Sequence, residues 1–382
     1  MSMNLVTTKV ANPLVELQNY GQSVWHDNIS RGLLDSGKLQ RLIDEDGLRG
    51  LTSNPTIFEK AINGSSEYDA PLKSLLAQGK EVKEIYEALA IEDIQRASDL
   101  FRPIFNETAG QDGFVSLEVS PKLAHKTEET IQEARRLWKR VNRPNVMIKV
   151  PATPAGIPAI EQLLGEGINI NITMMFSMDH YIQVAQAYIR GLEILDRSAR
   201  PLTVSSVASF FVSRVDTLVD KLLEERLPKA TSAPKRKEIE SLLGKTAIAN
   251  SRLVYQKFKE IFGGSRFLAL KGKGARVQRP LWASTSTKNP NYRDVLYVEE
   301  LIGPDTVDTM PPATIDAFRD HGKVRPSLEE NLEEPKQVFA KLAELGINMD
   351  EVTTQLQNDG VKLFADSFDT LMESIAAKMS KA

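Results

Sequence analysis

The chain of 382 residues contains no cysteine. A disulfide, a thiolate zinc site and a cysteine nucleophile are therefore excluded, and four scattered histidines give little support for a metal centre. Long apolar runs are also missing, since no stretch approaches the ~20 residues that a membrane-spanning helix needs. Met1 to Tyr20 lacks the charged start and apolar core of a signal peptide. We expect a cytoplasmic protein without membrane association.

A large excess of charge of one sign is lacking as well. Lysine and arginine number 48 against 51 acidic residues, a formal net charge of -3, so no basic footprint for nucleic acid is present. The remaining composition is that of a globular protein, with 41% hydrophobic and 26% charged residues. Such a chain can bury a large core, and its length alone leaves the number of domains open.

Short strand candidates alternate with longer segments of helical periodicity along the chain. Eight such strands with interleaved helices predict an α/β fold, a closed (β/α)8 barrel of the TIM-barrel type. The candidate strands are Ser23 to Asp27, Gly50 to Asn54, Phe114 to Val119, Val146 to Pro151, Ile168 to Met174, Leu202 to Ser209, Pro280 to Thr285 and Thr306 to Met310. The predicted crossover helices lie in Glu67 to Arg102, Leu123 to Val141, Asp179 to Leu195 and Val212 to Phe262.

We expect one barrel domain over residues 1–382, because no segment has the character of a linker. Leu227 to Lys237 contains two prolines and several lysines, but it lies inside one crossover and indicates a surface excursion. Residues 328–382 are predicted to be a helical extension that packs on the barrel and covers its mouth. Pro335, Gly346 and Gly360 are the expected breaks in this extension.

Lys149 is a single basic residue within the otherwise apolar run from Val146 to Pro151. Burial disfavours a charged ammonium and can bring a lysine pKa from ~10.4 towards ~7 to 8, where the neutral amine is a usable nucleophile. Schiff-base chemistry on a carbonyl is therefore the natural hypothesis. The alternative is an edge strand whose lysine extends to solvent.

A second strand candidate carries polar side chains at every other position. The period of two places Asn169, Asn171 and Thr173 on one face, and in a barrel that face points inward. A packed barrel core normally takes valine, isoleucine or leucine there, so the three side chains need hydrogen-bonding partners. A polyol substrate would supply them, and the alternative is a polar layer satisfied by neighbours or buried water.

Other candidate strands show the same feature. Ser116 and Glu118 share a face, and a buried Glu118 opposite a lysine can be paired or can hold a water for proton transfer. Asp27 ends the first candidate strand as a further ionisable group, although Asp27 and Ser30 could each be a helix cap. Gly50 to Pro55 ends a strand with a polar run, and its alternative interpretation is an ordinary turn.

Polar residues thus collect at the carboxyl ends of several strands, where barrel enzymes place their chemistry. Gly50 to Phe58 and Val146 to Ile157 resemble the two signatures of the transaldolase family, the second of which carries a Schiff-base lysine. Gly167 to Ser177 and Val207 to Arg214 resemble the family's fifth and sixth strands. The resemblance covers nearly the whole chain, and Pro280 to Pro290 is similar to the longer bacterial form.

The resemblance implies an enzyme without a cofactor that moves a dihydroxyacetone unit between sugar phosphates. Lys149 would be the amine that adds to the ketose, and Asp27 the general base for cleavage of the carbon-carbon bond. Glu118 and Thr173 would handle the water and protons of carbinolamine formation and loss. The residues implied to hold or support the substrate are Asn54, Asn171, Ser209, Thr52, Ser116 and Phe211.

The phosphate ligands are also implied by the resemblance. Arg214 matches a phosphate-binding arginine, and a guanidinium can engage phosphate oxygens with two parallel hydrogen bonds. An unrelated surface arginine is the alternative. The second phosphate arginine of the shorter family members has no clean match, and Lys288 stands near its place, with Ser286 or the local backbone amides as alternatives.

The resemblance therefore predicts the function of the transaldolase family for this chain. The donor would be fructose 6-phosphate or sedoheptulose 7-phosphate, and the acceptor erythrose 4-phosphate or glyceraldehyde 3-phosphate, in the non-oxidative pentose phosphate pathway. An aldolase that releases free dihydroxyacetone and a catalytically silent sugar-phosphate-binding barrel are the alternatives. The expected partners are sugar phosphates, without nucleic acid or membrane, and the chain is expected to be a monomer or a homodimer.

Overall fold

Eight parallel strands form a closed barrel in the computed structural model, which describes residues 12–380. Each strand pairs with the next one along the chain, and the last pairs with the first. The predicted α/β barrel is therefore confirmed. The strands are β1 Gln22–Asp27, β2 Gly50–Thr52, β3 Phe114–Glu118, β4 Val146–Pro151, β5 Ile170–Met175, β6 Ser206–Phe211, β7 Arg279–Ala283 and β8 Thr306–Met310.

Helices follow the strands and surround the barrel. The crossover predicted at Glu67 to Arg102 contains two α-helices, and the one at Val212 to Phe262 contains three. Leu227 to Lys237 lies at the surface and includes the start of the second of these three helices. Within residues 12–380, no helix combines the length and the apolar character needed to cross a bilayer. The α-helices are α1 Pro13–Glu16, α2 Arg31–Asp35, α3 Lys38–Asp46, α4 Pro55–Asn63, α5 Asp69–Ala77, α6 Val82–Glu107, α7 Thr127–Val141, α8 Gly156–Gly165, α9 Met178–Arg197, α10 Ser213–Glu224, α11 Ala233–Glu240, α12 Thr246–Phe262, α13 Ser265–Lys271, α14 Leu296–Glu300, α15 Pro312–His321, α16 Glu333–Glu344 and α17 Met349–Met379.

The predicted bounds of four strands are wrong by two to four residues. The second strand ends at Thr52 because Asn54 already caps α4. The fifth strand begins at Ile170 rather than Ile168, and the sixth occupies Ser206–Phe211 rather than Leu202 to Ser209. The seventh strand ends at Ala283 rather than Thr285. Apolar residues such as Ile168, Leu202 and Val204 precede the fifth and sixth strands, so the sequence alone does not mark the point where these strands start.

Aromatic packing fills the barrel near the amino ends of its strands. Trp25 is fully buried and lies in register with Gly50. A Cβ atom at Gly50 would be 2.5 Å from the indole ring, so only glycine leaves room for Trp25. The Phe114 ring lies 6.4 Å from the indole, centroid to centroid. This apolar floor leaves the polar side chains of the carboxyl half to form a site above it.

The C-terminal helix α17 packs on the carboxyl end of the barrel, where it contacts α4, α10 and β5, whereas α16 packs on α12. Pro335 lies in the first turn of α16, and Gly346 follows the end of that helix with a φ of +69°, as expected for a break. The predicted break at Gly360 is wrong, because this glycine is inside α17. A Cβ there would be 2.9 Å from the Met174 sulfur, so close packing explains this glycine.

Candidate active site

Lys149 lies in the middle of β4, and its side chain is 5% exposed. Its neighbours across the sheet are Glu118 on β3 and Asn171 on β5, both in register with it. Paired residues of parallel strands project to the same face, so all three side chains point into the barrel. The Lys149 Nζ is 3.3 Å from the Glu118 Oε2 and donates to the Ser53 carbonyl at 3.2 Å. The alternative of a solvent-exposed lysine on an edge strand is therefore wrong.

A chain of hydrogen bonds fixes the side chains beside this lysine. The Asn171 amide donates to the Ser116 Oγ at 3.0 Å and accepts from the Ser209 Oγ at 2.6 Å. The Ser53 hydroxyl donates to the Ser116 carbonyl at 2.7 Å. Neighbouring side chains thus satisfy the Asn171 carbonyl oxygen and one of its amide hydrogens, which sets the orientation of the amide.

The other two polar residues of this face behave differently. Asn169 precedes β5, and its amide donates to the Pro144 carbonyl at 2.9 Å and accepts from the Ser205 amide at 2.9 Å. It therefore joins neighbouring chain segments below the site and is not a ligand candidate. Thr173 is fully buried, and its Oγ1 has no hydrogen-bond partner within residues 12–380. Since buried hydroxyls normally have a partner, Thr173 is the member of this face that is available to a reactant or a water.

Asp27 ends β1 and is partly exposed to the cavity above the barrel. The Thr52 hydroxyl donates to Asp27 Oδ1 at 2.6 Å and lies 2.7 Å from the Thr309 hydroxyl. Asp27 is not a helix cap, because the Ser30 Oγ caps α2 by accepting from the Leu33 amide at 3.1 Å. The carboxylate is thus oriented by Thr52 with one oxygen left for a ligand.

The surroundings raise the pKa of both carboxylates near Lys149. Burial raises the pKa of Asp27, and the Lys149 charge and the Thr52 hydrogen bond oppose the rise. Burial also raises the pKa of Glu118, again opposed by Lys149, while the Asp27 charge adds to the rise. Perturbed carboxylates of this kind are typical of acid-base sites.

A cavity of about 580 Å³ opens above these side chains at the carboxyl end of the barrel. Eight of the predicted site residues line it, namely Asp27, Thr52, Asn54, Lys149, Ser209, Phe211, Arg214 and Lys288. Glu118, Ser116, Asn171 and Thr173 are not in its lining. Glu118 and Asn171 lie beside Lys149, Ser116 lies one layer below it, and Thr173 lies one layer closer to the carboxyl end of the barrel. The Asn54 Oδ1 accepts from the Ile57 amide at 2.9 Å as the cap of α4, which leaves its amide nitrogen for a ligand.

Three cationic side chains share the outer part of the cavity. Arg214, the second residue of α10, lies over the Phe211 ring at 5.3 Å and the Phe364 ring at 5.9 Å. The Lys288 Nζ donates to the Ser286 Oγ at 2.7 Å. Burial lowers the pKa of Lys288, and the charges of Arg214 and Lys60 lower it further. An anionic ligand would relieve this repulsion, and a phosphate is an anion that a guanidinium and an ammonium both bind.

Lys60 and Phe364 are two of the lining residues that are absent from the predicted site residues. Lys60 lies on α4, where a helical lysine carries no pattern that separates it from a solvent-exposed one. Phe364 lies on α17, and its ring is 5.8 Å from the Lys149 Nζ. Its spacing to other apolar residues of the helix indicates only a buried face. Neither role was accessible without the tertiary structure.

A carboxylate-paired lysine lies inside the barrel, below a cavity with three cations. The fold and this site define a class of protein, the (β/α)8-barrel enzymes, whose active sites lie at the carboxyl ends of the strands. The family described as Transaldolase/Fructose-6-phosphate aldolase matches residues 24–375. The chain belongs to this family.

Similar proteins extend over nearly the whole chain. A transaldolase of Trichodesmium erythraeum is 47% identical over 375 residues, which are 97% of this chain and 99% of that protein. Transaldolase 2 of a Nostoc species is 45% identical over 96% of this chain and 98% of its own length. A transaldolase of Frankia alni is 44% identical over 98% of this chain and 99% of its own. The expectation of a transaldolase enzyme is confirmed.

Proposed function

We propose that this chain transfers a dihydroxyacetone unit from a ketose phosphate to an aldose phosphate through a Schiff base on Lys149. The observation that carries the proposal is the buried Lys149 amine, 3.3 Å from the Glu118 carboxylate and in the lining of the cavity that Asp27 also lines. One nucleophile and two carboxylates with raised pKa values supply the groups that imine formation and carbon-bond cleavage require.

Imine formation uses Lys149 and Glu118. The amine nitrogen bonds to the ketose carbonyl carbon, and the carbonyl oxygen takes up protons and leaves as water. Glu118 accepts a proton from the nitrogen and returns one to the departing hydroxyl. A small cavity of about 20 Å³ borders Glu118, enough for about one water molecule. The free Thr173 hydroxyl, two positions beyond Asn171 on the same strand, is the second polar group assigned to this step.

Carbon-bond cleavage uses Asp27. Its carboxylate takes the proton of the hydroxyl next to the breaking bond, and that oxygen becomes the aldehyde of the leaving aldose. The electrons of the carbon-carbon bond move to the iminium and leave an enamine on Lys149. Transfer is the reverse with a second aldose: the enamine carbon bonds to the aldehyde carbon, and Asp27 returns its proton to the aldehyde oxygen. Water then releases the new ketose from Lys149.

The outer cations are assigned to the phosphate. Arg214 is held between the Phe211 and Phe364 rings and is the principal ligand, with Lys288 and Lys60 as point charges. Fructose 6-phosphate and sedoheptulose 7-phosphate are the proposed donors, and erythrose 4-phosphate and glyceraldehyde 3-phosphate the acceptors, as in the non-oxidative pentose phosphate pathway. The cytoplasmic location, the single domain and the monomeric or homodimeric state stay predictions from the sequence.

Borohydride trapping tests the proposal directly. The protein is reduced in the presence of fructose 6-phosphate, digested, and mapped by mass spectrometry. A dihydroxyacetone-sized adduct on Lys149 is the expected result, with the exposed Lys122 as the internal control that stays unmodified. An adduct on another lysine would overturn the site. Absence of any adduct from a folded protein, with several ketose phosphates, would favour the silent barrel.

Release of free dihydroxyacetone is the second candidate, because the matching family includes fructose-6-phosphate aldolase. The two activities differ only in what removes the three-carbon unit from Lys149, an aldose or water. Product analysis of the reaction with and without erythrose 4-phosphate separates them. A transaldolase gives little product until the acceptor is added, whereas an aldolase gives dihydroxyacetone at once.

A further inference from the structure

We propose that Gln357, on the C-terminal helix, is a positioning residue that keeps Phe364 over Lys149 and so favours transfer of the three-carbon unit over its loss to water. The inference rests on the proposed function, since it concerns the fate of the adduct on Lys149. Gln357 does not line the cavity and belongs to none of the predicted site residues.

The Gln357 side chain joins α17 to two strands of the barrel. It is buried, and its Nε2 donates to the Ala152 carbonyl and to the Met174 carbonyl, both at 3.0 Å. Ala152 comes directly after β4, three residues beyond Lys149, and Met174 follows Thr173 in β5. A single amide group therefore ties the helix to the two strands that carry the proposed nucleophile and its neighbouring hydroxyl.

The backbone at Met174 explains why a side chain is needed there. Met174 has a φ of +64°, a left-handed conformation that is rare for a residue other than glycine. The pairing of β5 with β6 shifts register between Ile172 and Met175, so a bulge lies at this point. A bulge interrupts the regular ladder, and a buried carbonyl beside it has to find another donor. Gln357 is that donor.

The same helix face continues toward the amine. Gly360, one turn along, lies against Met174 so closely that a Cβ would be 2.9 Å from the sulfur. Phe364 follows one turn later, with its ring 5.8 Å from the Lys149 Nζ and 5.9 Å from the Arg214 Cζ. Spacings of three and four residues place Gln357, Gly360 and Phe364 on one stripe of the helix. The Gln357 hydrogen bonds thus fix the position of the Phe364 ring relative to the Lys149 amine.

This cover matters between the two half-reactions. While the enamine waits on Lys149, loss of the unit requires a proton on the enamine carbon and then a water on the iminium carbon. The Lys149 amine leaves as the carbon-nitrogen bond breaks, and free dihydroxyacetone is the product. An apolar ring over the amine keeps water from the iminium carbon, whereas an arriving aldose phosphate is guided by the cations. A displaced ring would expose the adduct to solvent.

The partition between the two fates tests the inference. Gln357→Leu keeps the size of the side chain and removes its donor. The enzyme is saturated with fructose 6-phosphate and given a fixed concentration of erythrose 4-phosphate, and free dihydroxyacetone is measured relative to transferred product. We expect this ratio to rise about tenfold, a factor within the range that the loss of two buried hydrogen bonds can produce. The ratio compares two fates of one adduct, so a smaller folded fraction does not change it.

Two control variants lie on the same helix. Gln355→Leu changes an exposed glutamine two positions away and should leave the ratio unchanged. Leu371→Ala removes a fully buried side chain two turns beyond Phe364 and should lower the melting temperature without changing the ratio. A rise in Leu371→Ala equal to that in Gln357→Leu would overturn the inference, because general loosening of the helix would then suffice.

The outcomes separate this inference from the proposed function. An unchanged ratio in Gln357→Leu, with an adduct still trapped on Lys149, overturns the role of Gln357 and leaves the Schiff base in place. Failure to trap any adduct in the unsubstituted protein overturns the proposed function instead. Should Gln357→Leu not fold, Phe364→Leu reduces the cover directly, and the same rise in the ratio is expected from it.

Discussion

The Lys149 ammonium and the Glu118 carboxylate are a buried ion pair on neighbouring strands, with Nζ 3.3 Å from Oε2 and the two residues in register. Removing one partner of such a pair leaves an uncompensated buried charge and typically destabilises a protein by ~3–5 kcal/mol. Variants that keep the charge or the shape of each side chain are therefore the informative ones, because they separate chemistry from folding.

Lys149→Arg should abolish activity while the protein stays folded. A guanidinium keeps the positive charge opposite Glu118 but remains protonated at neutral pH and forms no imine. We expect kcat/KM below about a thousandth of its normal value, with circular dichroism and melting temperature little changed. Lys122→Arg, at an exposed lysine, is the matched control. Normal turnover by Lys149→Arg would remove this lysine from the mechanism.

Glu118→Gln should slow the formation of the imine. The amide keeps the size of the side chain and a polar contact to Lys149, but it cannot take and return a proton. The rate at which a borohydride-trappable adduct appears should fall by about a hundredfold, the usual contribution of one acid-base group. Rapid quenching at increasing times measures it. If the adduct forms at the normal rate and only later steps slow, Glu118 does not act in imine formation.

Asp27→Asn should stop the reaction after the imine has formed. The Thr52 hydroxyl can still donate to the remaining oxygen, so the side chain keeps its place. Because the base for carbon-bond cleavage is missing, the trapped adduct on Lys149 should have the mass of the whole ketose phosphate. Turnover should fall by about 10²–10⁴. A normal proportion of three-carbon adduct in this variant would assign the base elsewhere.

Arg214→Gln should weaken the binding of phosphorylated substrates specifically. Hydrogen bonds to a charged group contribute about 1.5–3 kcal/mol, so KM for fructose 6-phosphate should rise about tenfold to a hundredfold. Lys288→Met and Lys60→Met should have smaller effects, since a flexible ammonium acts as a point charge. Unphosphorylated fructose is the control substrate. An equal loss with fructose would show that the arginine supports the fold of the site rather than the phosphate.

Asp308 should make stability depend on pH. It is fully buried on β8, in register with Trp282, and its Oδ1 accepts from the Thr285 hydroxyl at 2.9 Å. Burial raises the pKa of Asp308 to about 8, although the hydrogen bond from Thr285 lowers it. An unfolded aspartate has a pKa of ~3.9. Between these values the folded chain holds a proton that the unfolded chain has lost, so the Asp308 contribution to stability is present below the unfolded pKa and falls as pH rises towards 8.

Asp308→Asn removes that dependence. The amide stays neutral and keeps an oxygen for Thr285, so the variant should gain stability relative to the natural chain as pH rises. Denaturant unfolding at pH 5 and pH 9 measures the free energies of both proteins. The difference in favour of the variant should be larger at pH 9. A difference that stays constant between the two conditions would mean that the natural Asp308 does not hold its proton in the fold.

Local sequence patterns were sufficient to predict the barrel. The strands are short segments in which apolar residues either follow one another or alternate with polar ones, and both patterns follow from strand geometry. Eight strands with helices between them permit few other topologies, because crossovers of parallel strands are strongly constrained. The predicted strand boundaries were wrong where apolar residues continue beyond the hydrogen-bonded strand, as at Ile168 and Leu202.

The site was predictable in the same way where its members share a local signal. Lys149, Glu118 and Asn171 are each a polar residue inside an apolar strand, and parallel pairing brings three such positions together. Asn169 carries the same signal and has another role, since its amide bridges chain segments at the start of the strand. The two-residue period of polar side chains identifies which face of a strand they share. It does not show which end of the barrel each of them occupies.

The sequence by itself thus determined the barrel, the buried amine and the carboxylates around it, because strand period and pairing order are local properties. Only the tertiary structure decided what covers them. Gln357 reaches the Ala152 carbonyl across 205 positions of chain, and Phe364 lies over Lys149 through the docking of α17. The helical pattern of α17 marks an apolar face but not the surface that the face meets, because docking depends on the shape of the assembled barrel.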